Sequence, residues 1–278
     1  MSQRVWLVTG CSTGFGKELV RVIAENGEIA IGTVRKESQI SELESIHPEF
    51  VKAVILDVQK QQTIDEVSTF ISETFGQLDV LVNNAGYGTL GPIEETSEEE
   101  IERQFDVNVF GCVRMMKLAL PFMRKQRSGH ILNITSIAGL QGYPGVGIYN
   151  GSKFALEGIG EALAAETKHL GINVTNVEPG PFRTDWAGRS ATFNESIIED
   201  YKESAAKNMD SIRGVSGHQV GDPVKAVKAM FELTKLENPP VHLPLGGPAY
   251  KRVGIKLEEF KEELAQFEYL GRPTDFEE

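Results

Sequence analysis

Cysteine is scarce: Cys11 and Cys112 are the only two among 278 residues. They cannot build a disulfide framework or, by themselves, a zinc site, and the five scattered histidines offer no ligand spacing. No metal is therefore expected. Basic charge is the second shortage, with 28 Lys+Arg against 40 Asp+Glu and a formal net charge of −12. That balance excludes a nucleic-acid binder, which needs clustered Lys/Arg against phosphates, and an electrostatically anchored membrane protein. Long hydrophobic runs are missing too; none approaches the ~20 apolar residues that span a bilayer. Met1-Ser2-Gln3-Arg4 leads directly into a strand-like run without the charged, apolar and cleavage regions of a signal peptide. A reducing, cytoplasmic location is expected. What remains is ordinary globular usage, 40% hydrophobic and 24% charged, sufficient for a packed core.

Short apolar runs alternate with helical patterns along most of the chain. Residues 5–9, 28–34, 51–56, 80–83, 130–135, 172–177 and 241–245 read as strands. Between them, 14–26, 37–45, 60–75, 97–124, 149–169 and 222–236 read as helices, with Ser97 and Glu100 forming a capping-box pattern and Pro121 bending the fourth or filling a late turn. Strands that are apolar throughout and alternate with helices indicate a parallel sheet buried on both faces. The pattern predicts an α/β fold: a Rossmann-type doubly wound parallel sheet of about seven strands in a single domain. After Pro179-Gly180-Pro181 the rhythm breaks, and residues 183–220 are expected to be a substrate lid. A charged helical tail covers about 248–278.

Thr9-Gly10-Cys11-Ser12-Thr13-Gly14-Phe15-Gly16 follows the first strand and opens a helix. In that context the glycines permit a tight turn and let backbone N–H groups approach a pyrophosphate at the positive helix end. A dinucleotide is the expected ligand. The second strand ends in Thr33-Val34-Arg35-Lys36 rather than in the carboxylate that would hold a ribose 2′-OH. A guanidinium pairs with a 2′-phosphate, so Arg35 favours NADP(H), while nearby Glu37 keeps NAD(H) as the alternative. Cys11 reads as filler in the glycine loop, with no partner to lower its thiol pKa.

Tyr149 and Lys153 stand at i and i+4, on one face of a helix. A phenol titrates near 10; a cation one turn away is expected to lower that value and produce a usable general acid/base. Ser136 ends a strand, in position to hydrogen-bond a substrate oxygen. Tyr143, Phe182, Trp186, Phe193 and Met209 are either an apolar substrate wall or ordinary core or lid packing.

Taken together, TGCSTGFG at 9–16, Asp57, Asn83-Asn84-Ala85-Gly86, Asn108, Ser136, Tyr149-Asn150-Gly151-Ser152-Lys153 and Pro179-Gly180 occur in order over roughly residues 4–185. The sequence resembles the short-chain dehydrogenase/reductase family of TGxxxGxG type and is similar to its hydroxysteroid and retinol dehydrogenase-like branch. Gly151 departs from the commoner Ala or Ser. The resemblance implies that Gly10, Ser12, Thr13, Gly14, Phe15 and Gly16 line the pyrophosphate and ribose, that Asp57 and Val58 meet adenine, and that Asn84, Ala85 and Gly86 pass beside the adenine ribose. It implies that Asn108, at a helix kink, holds a water joined to Lys153. Tyr149 would exchange the proton with the substrate oxygen, helped by Ser136, and Lys153 would also hold the nicotinamide ribose. Pro179, Gly180, Phe182 and Thr184 would cover the nicotinamide, with Tyr143 and Trp186 at the substrate. A homodimer or homotetramer through the helices around 98–120 and 149–169 is implied as well.

The expected activity is reversible hydride transfer between a nicotinamide cofactor and a carbonyl or alcohol of a small, fairly apolar substrate. A catalytically silent NADP(H)-sensing regulator is the alternative; it usually lacks part of the Ser/Tyr/Lys set, which is complete here. A methyltransferase leaves the glycine loop and Arg35 unexplained, and a sugar epimerase fits the glycine spacing and NNAG poorly.

Overall fold

In a computed structural model, which describes residues 3–194 and 196–276, the seven apolar runs pair into one parallel sheet. In chain order the strands are β1 (Val5–Val8), β2 (Ile29–Val34), β3 (Val51–Ile55), β4 (Val80–Asn83), β5 (Gly88–Leu90), β6 (Gly129–Ile134), β7 (Ile172–Pro179), β8 (Ala191–Phe193) and β9 (His242–Leu245). The main sheet has the order β3-β2-β1-β4-β6-β7-β9, all parallel, while β5 and β8 form a separate parallel pair. The helices are α1 (Gly14–Glu25), α2 (Ile40–Glu44), α3 (Gln61–Thr74), α4 (Glu98–Phe105), α5 (Gly111–Gln126), α6 (Gly147–Thr167), α7 (Lys207–Gly214), α8 (Pro223–Leu233) and α9 (Gly247–Gly271).

Alternation along β1 shows why its run is apolar without interruption. Trp6 and Val8 point to one face, into a core with Val20 and Ile23 of α1 and Val227, Met230 and Phe231 of α8. Val5 and Leu7 point to the other, among Ile64 and Val67 of α3, Met115 of α5 and Leu156 of α6. Successive side chains of a strand face opposite ways, so both parities must be apolar when helices cover both faces. The chain order reverses between β1 and β4, which opens a crevice at the carboxyl ends of these strands.

The expected helix over 97–124 is interrupted, but not by Pro121, which lies inside α5. The break is a π-helical turn, Asp106–Phe110, between α4 and α5. Its physical cause is a contact with a distant part of the chain. The Asn108 carboxamide accepts from the Tyr87 N–H (3.1 Å) and donates to the Tyr87 carbonyl (2.9 Å), drawing the helix toward β5. Gly111 then packs so closely on Val58 that a Cβ would lie 2.7 Å from its Cγ2.

Residues 183–220 are more ordered than their polar pattern suggests. β8 pairs with β5 and α7 closes the segment, placing it over the ends of β4 and β6. Of α9 only Ala249 is buried; Pro248, Val253 and Lys256 are half-buried, and the rest, including Leu257, Phe260, Leu264 and Phe267, is exposed. No helix among the described residues is long and apolar enough to cross a membrane.

Candidate active site

The glycine loop is shaped by what cannot fit there. Gly10 adopts φ +72°, and a Cβ on it would lie 2.9 Å from the Ala85 Cα. A Cβ on Gly16 would fall 2.5 Å from the Gly10 carbonyl oxygen and 2.6 Å from Asn84 Nδ2. Thr9 and Asn84 bind the turn from below: the Thr9 hydroxyl accepts from the Asn84 and Ala85 N–H groups (3.0 and 2.9 Å), and Asn84 Nδ2 donates to the Thr9 and Gly10 carbonyls (2.8 and 3.0 Å). Thr13, at the N-cap of α1, makes no side-chain cap hydrogen bond. The first N–H groups of the helix thus keep donors and positive dipole for an anion. These features fit a dinucleotide pyrophosphate over Ser12, Thr13, Gly14 and Phe15.

The other residues expected to contact a dinucleotide fall along the same edge. Thr33, near the end of β2, accepts the Gly10 N–H at its hydroxyl (3.1 Å) and the Cys11 N–H at its carbonyl (2.8 Å). Arg35, two residues on, is exposed beside the loop, as are Lys36 and Glu37. Asp57 follows β3, where its backbone exchanges hydrogen bonds with the Thr63 hydroxyl and its carboxylate accepts from the Gln59 N–H. Val58 beside it is buried. Asn84, Ala85 and Gly86 follow β4, and Pro179 and Gly180 close β7. Thr184 caps the turn that carries Trp186 and lies over the loop, its Cβ 3.7 Å from where a Cβ on Gly14 would stand.

Of the residues read as either substrate wall or packing, Phe182 takes the second course. It packs edge-on against Phe15, with centroids 5.3 Å apart, and joins the core beneath α8. The remaining aromatic and sulfur residues do converge on the tyrosine. Tyr149, Leu90, Ala138, Val146 and Met209 are buried together, with Tyr143, Trp186 and Phe193 packed on them. The Tyr149 and Trp186 ring centroids are 5.1 Å apart. Tyr143 reaches outward, accepting from Arg252 Nη1 (3.3 Å), with that guanidinium 5.1 Å from its ring centre.

Tyr149 and Lys153 lie on α6, and Ser136 follows β6 with its Oγ accepting the Ala138 N–H (3.1 Å). Burial pushes the Tyr149 phenol well above its ordinary value, opposed only in part by its hydrogen bond with Ser136. Burial also lowers Lys153, against the attraction of Cys112 and Glu157. The expected lowering of the phenol by Lys153 therefore does not appear. Desolvation dominates both groups, and Lys153 Nζ is directed to the Ile134 carbonyl at 2.8 Å, 5.7 Å from the tyrosine ring centre. Asn108 contributes through the kink that the resemblance implied: it holds Tyr87 and donates to the Ser152 hydroxyl (3.2 Å). Asn108 Oδ1 and Lys153 Nζ both face Gly86, 3.1 and 3.7 Å from where its Cβ would be.

Two supports were not singled out from the sequence. Asn150, next to Tyr149, accepts from the Tyr143 N–H and donates to the Ala138 and Gln141 carbonyls, tying the β6 loop to α6. Thr9 clamps the glycine loop to the NNAG turn, as described. A hydroxyl or amide in a loop has many roles open to it, and only the meeting of distant backbones reveals these two.

Cys11 is fully buried, donates to the Val8 carbonyl at 3.1 Å, and has its thiol pushed up to about 12 by burial; Cys112 rises to about 11. The thiolate is the reactive form. Native protein at pH 8 is accordingly expected to show essentially no thiol reactive toward Ellman's reagent within minutes, and both cysteines after denaturation. Rapid native labelling of either would contradict this assignment.

Comparison with known proteins agrees with this geometry. Residues 4–195 match the family model described as short chain dehydrogenase. The chain is 37% identical over 247 residues to a 3-ketodihydrosphingosine reductase of Bacteroides thetaiotaomicron, covering 88% of this chain and 89% of that one. It is 39% identical over 190 residues to human retinol dehydrogenase 8, covering 67% and 61% respectively. Among solved structures, a short-chain dehydrogenase from Streptomyces avermitilis superposes with a TM-score of 0.93 at 37% identity, over 99% of each chain. ElxO with NADP bound superposes at 0.74 and 27% identity, over 90% of this chain and all of that one.

Proposed function

The chain belongs to the short-chain dehydrogenase/reductase family and is an oxidoreductase acting on CH–OH groups with NAD(P); on that premise we propose that it uses NADP(H) to interconvert an apolar ketone or aldehyde with its alcohol, with Tyr149 as general acid/base. The observation that carries this reading is the gathering of Tyr149, Ser136 and Lys153 beneath an aromatic lid beside the glycine loop. A bound nicotinamide supplies or accepts the hydride. The protein's part is the proton and the orientation. Tyr149, kept neutral by burial, is in the form that donates a proton to a carbonyl oxygen as charge develops there. Ser136 stands beside that hydroxyl to donate to the same oxygen. Lys153 gives one N–H to Ile134 and has two left for ribose hydroxyls. In the reverse direction Tyr149 takes the proton back.

The apolar cluster of Leu90, Val146, Trp186, Phe193 and Met209 around Tyr149 favours a largely hydrocarbon substrate. The relatives named for 3-ketodihydrosphingosine and retinol point the same way. The whole chain is read as one dinucleotide-binding unit whose residues 183–220 serve as the lid. Exposed Phe110 and Phe154, at α5 and on α6, support a homodimer or homotetramer through these helices, which sedimentation would measure. Its two buried thiols accord with action in the cytoplasm.

A screen of ketones and aldehydes, steroids and retinoids included, followed by NADPH absorbance, tests the proposal. Turnover with NADPH preferred over NADH is the expected result; tight NADPH binding without turnover of any carbonyl would instead indicate a regulator. The cofactor reading has its own test in Arg35→Ala. A charge-assisted contact is worth about 1.5–3 kcal/mol, so NADPH affinity is expected to fall roughly 10–100-fold with NADH little changed. Equal losses for both cofactors would refute the 2′-phosphate assignment.

A further inference from the structure

Glu157, Glu178 and His242 come from α6, β7 and the first position of β9, and we infer that they form a binding site for one zinc-type divalent transition metal. His242 Nδ1 lies 2.8 Å from Glu178 Oε1 and 3.5 Å from Glu157 Oε2, and one donor atom from each residue falls within 4.8 Å of the others. Three donors each about 2.0–2.2 Å from a tetrahedral zinc stand roughly 3.3 Å apart, so only a small adjustment is required.

The carboxylates are unusually placed for ordinary structural acids. Glu178 is completely buried and Glu157 is 3% exposed, and each keeps one buried oxygen, Glu178 Oε2 and Glu157 Oε1, with no hydrogen-bond partner. A buried carboxylate with one oxygen unpaired is costly, and a cation or a proton nearby offsets that cost. Neither an arginine nor a lysine forms an ion pair with them among the described residues, Lys153 being directed to the Ile134 carbonyl; their one charged-type partner is His242.

The surroundings match what orients metal ligands. His242 Nδ1 donates to Glu178 Oε1 at 2.8 Å, so a metal would take the place of that proton, and Nε2, 3.5 Å from Glu161 Oε1, would then carry the ring N–H toward that carboxylate. Asn176 Nδ2 donates to Glu157 Oε2 at 2.7 Å and fixes that ligand. Asn176 is itself held through Asn133 and Asn83, a buried carboxamide line across three strands. The His242 side chain is 40% exposed, giving a path in from solvent. Two carboxylates with one imidazole suit zinc or manganese better than magnesium or calcium, which prefer all-oxygen shells. A metal here would pin β9 to β7 and to α6, one turn beyond Lys153. No spacing in the sequence signals this site, because its members are separated by 20 and 63 residues.

The test uses the full-length protein, stripped with chelator, reloaded with Zn2+, desalted and assayed for zinc by elemental analysis alongside thermal unfolding. Wild type is expected to retain about one equivalent and to gain in Tm as ligand linkage requires. His242→Gln, a half-exposed site that tolerates change, and Glu178→Gln are each expected to cut retention to about a tenth or less and abolish the Tm gain. His218→Gln, an exposed histidine outside the cluster, should behave as wild type. Absence of retained zinc in wild type, or equal retention in His242→Gln, would overturn the proposal.

Discussion

Replacing Tyr149 by phenylalanine is expected to lower kcat by about 10²–10⁴-fold, the usual worth of a positioned general acid/base, while NADPH affinity changes little. Geometry explains the separation. The substitution removes one hydroxyl from a buried ring whose packing against Trp186 and Val146 is retained, and the glycine loop lies outside that ring. No nearby group replaces the lost proton. Ser136 is a far weaker acid than is needed, and Lys153 is directed to Ile134. A preserved Tm, preserved NADPH fluorescence titration and a collapsed single-turnover rate would together establish the role. Near-normal single-turnover rates would remove Tyr149 from the chemistry.

The second large effect concerns stability in acid. His130, on β6 and 5% exposed, contacts the Thr175 hydroxyl at 3.0 Å, and that hydroxyl donates onward to the Pro240 carbonyl. Thr175 therefore accepts from a neutral imidazole protonated at Nε2. Burial, with a smaller contribution from Arg4, holds His130 down to about 4 from an ordinary 6.5. Because the folded value is depressed, the unfolded chain binds the proton first as pH falls. The stabilisation is complete above 6.5 and is lost as pH falls toward 4. At 1.36 kcal/mol per pKa unit, the loss is about 2 kcal/mol between pH 7 and 5 and approaches about 3 kcal/mol near and below pH 4. Urea unfolding of wild type and His130→Gln at both pH values isolates it. The variant is expected to lose correspondingly less stability on acidification, whatever its stability at pH 7; parallel losses would refute the assignment.

How much was legible in the sequence depended on whether the signal was local. The apolar run of β1 and its followers, with glycines directly after, identified a parallel sheet because each strand must be apolar at both parities when helices cover both faces. The i, i+4 placement of Tyr149 and Lys153 is a property of one helix. By contrast, Pro121 was the visible local reason to bend the helix over 97–124, whereas the break at Asn108 was implied only by the family resemblance, because its partner Tyr87 lies in another element. Phe182 left two readings open, substrate wall or packing, and only its contact with Phe15 in the core chose between them. The lid's polar composition concealed β8, a strand that exists only because β5 offers a free edge.

By itself the sequence determined the fold class, the phosphate loop and the acid/base candidates, since glycine conformational freedom, helical spacing and hydrophobic parity act over a few residues. Only the tertiary structure decided how deeply these groups are buried and which distant groups meet. Desolvation raises Tyr149 and lowers Lys153 instead of the expected cation-assisted phenol. It also makes the meeting of Glu157, Glu178 and His242 consequential, because a carboxylate's cost depends on what surrounds it in space. Dielectric environment and through-space distance are properties of the packed chain, and no local pattern encodes them.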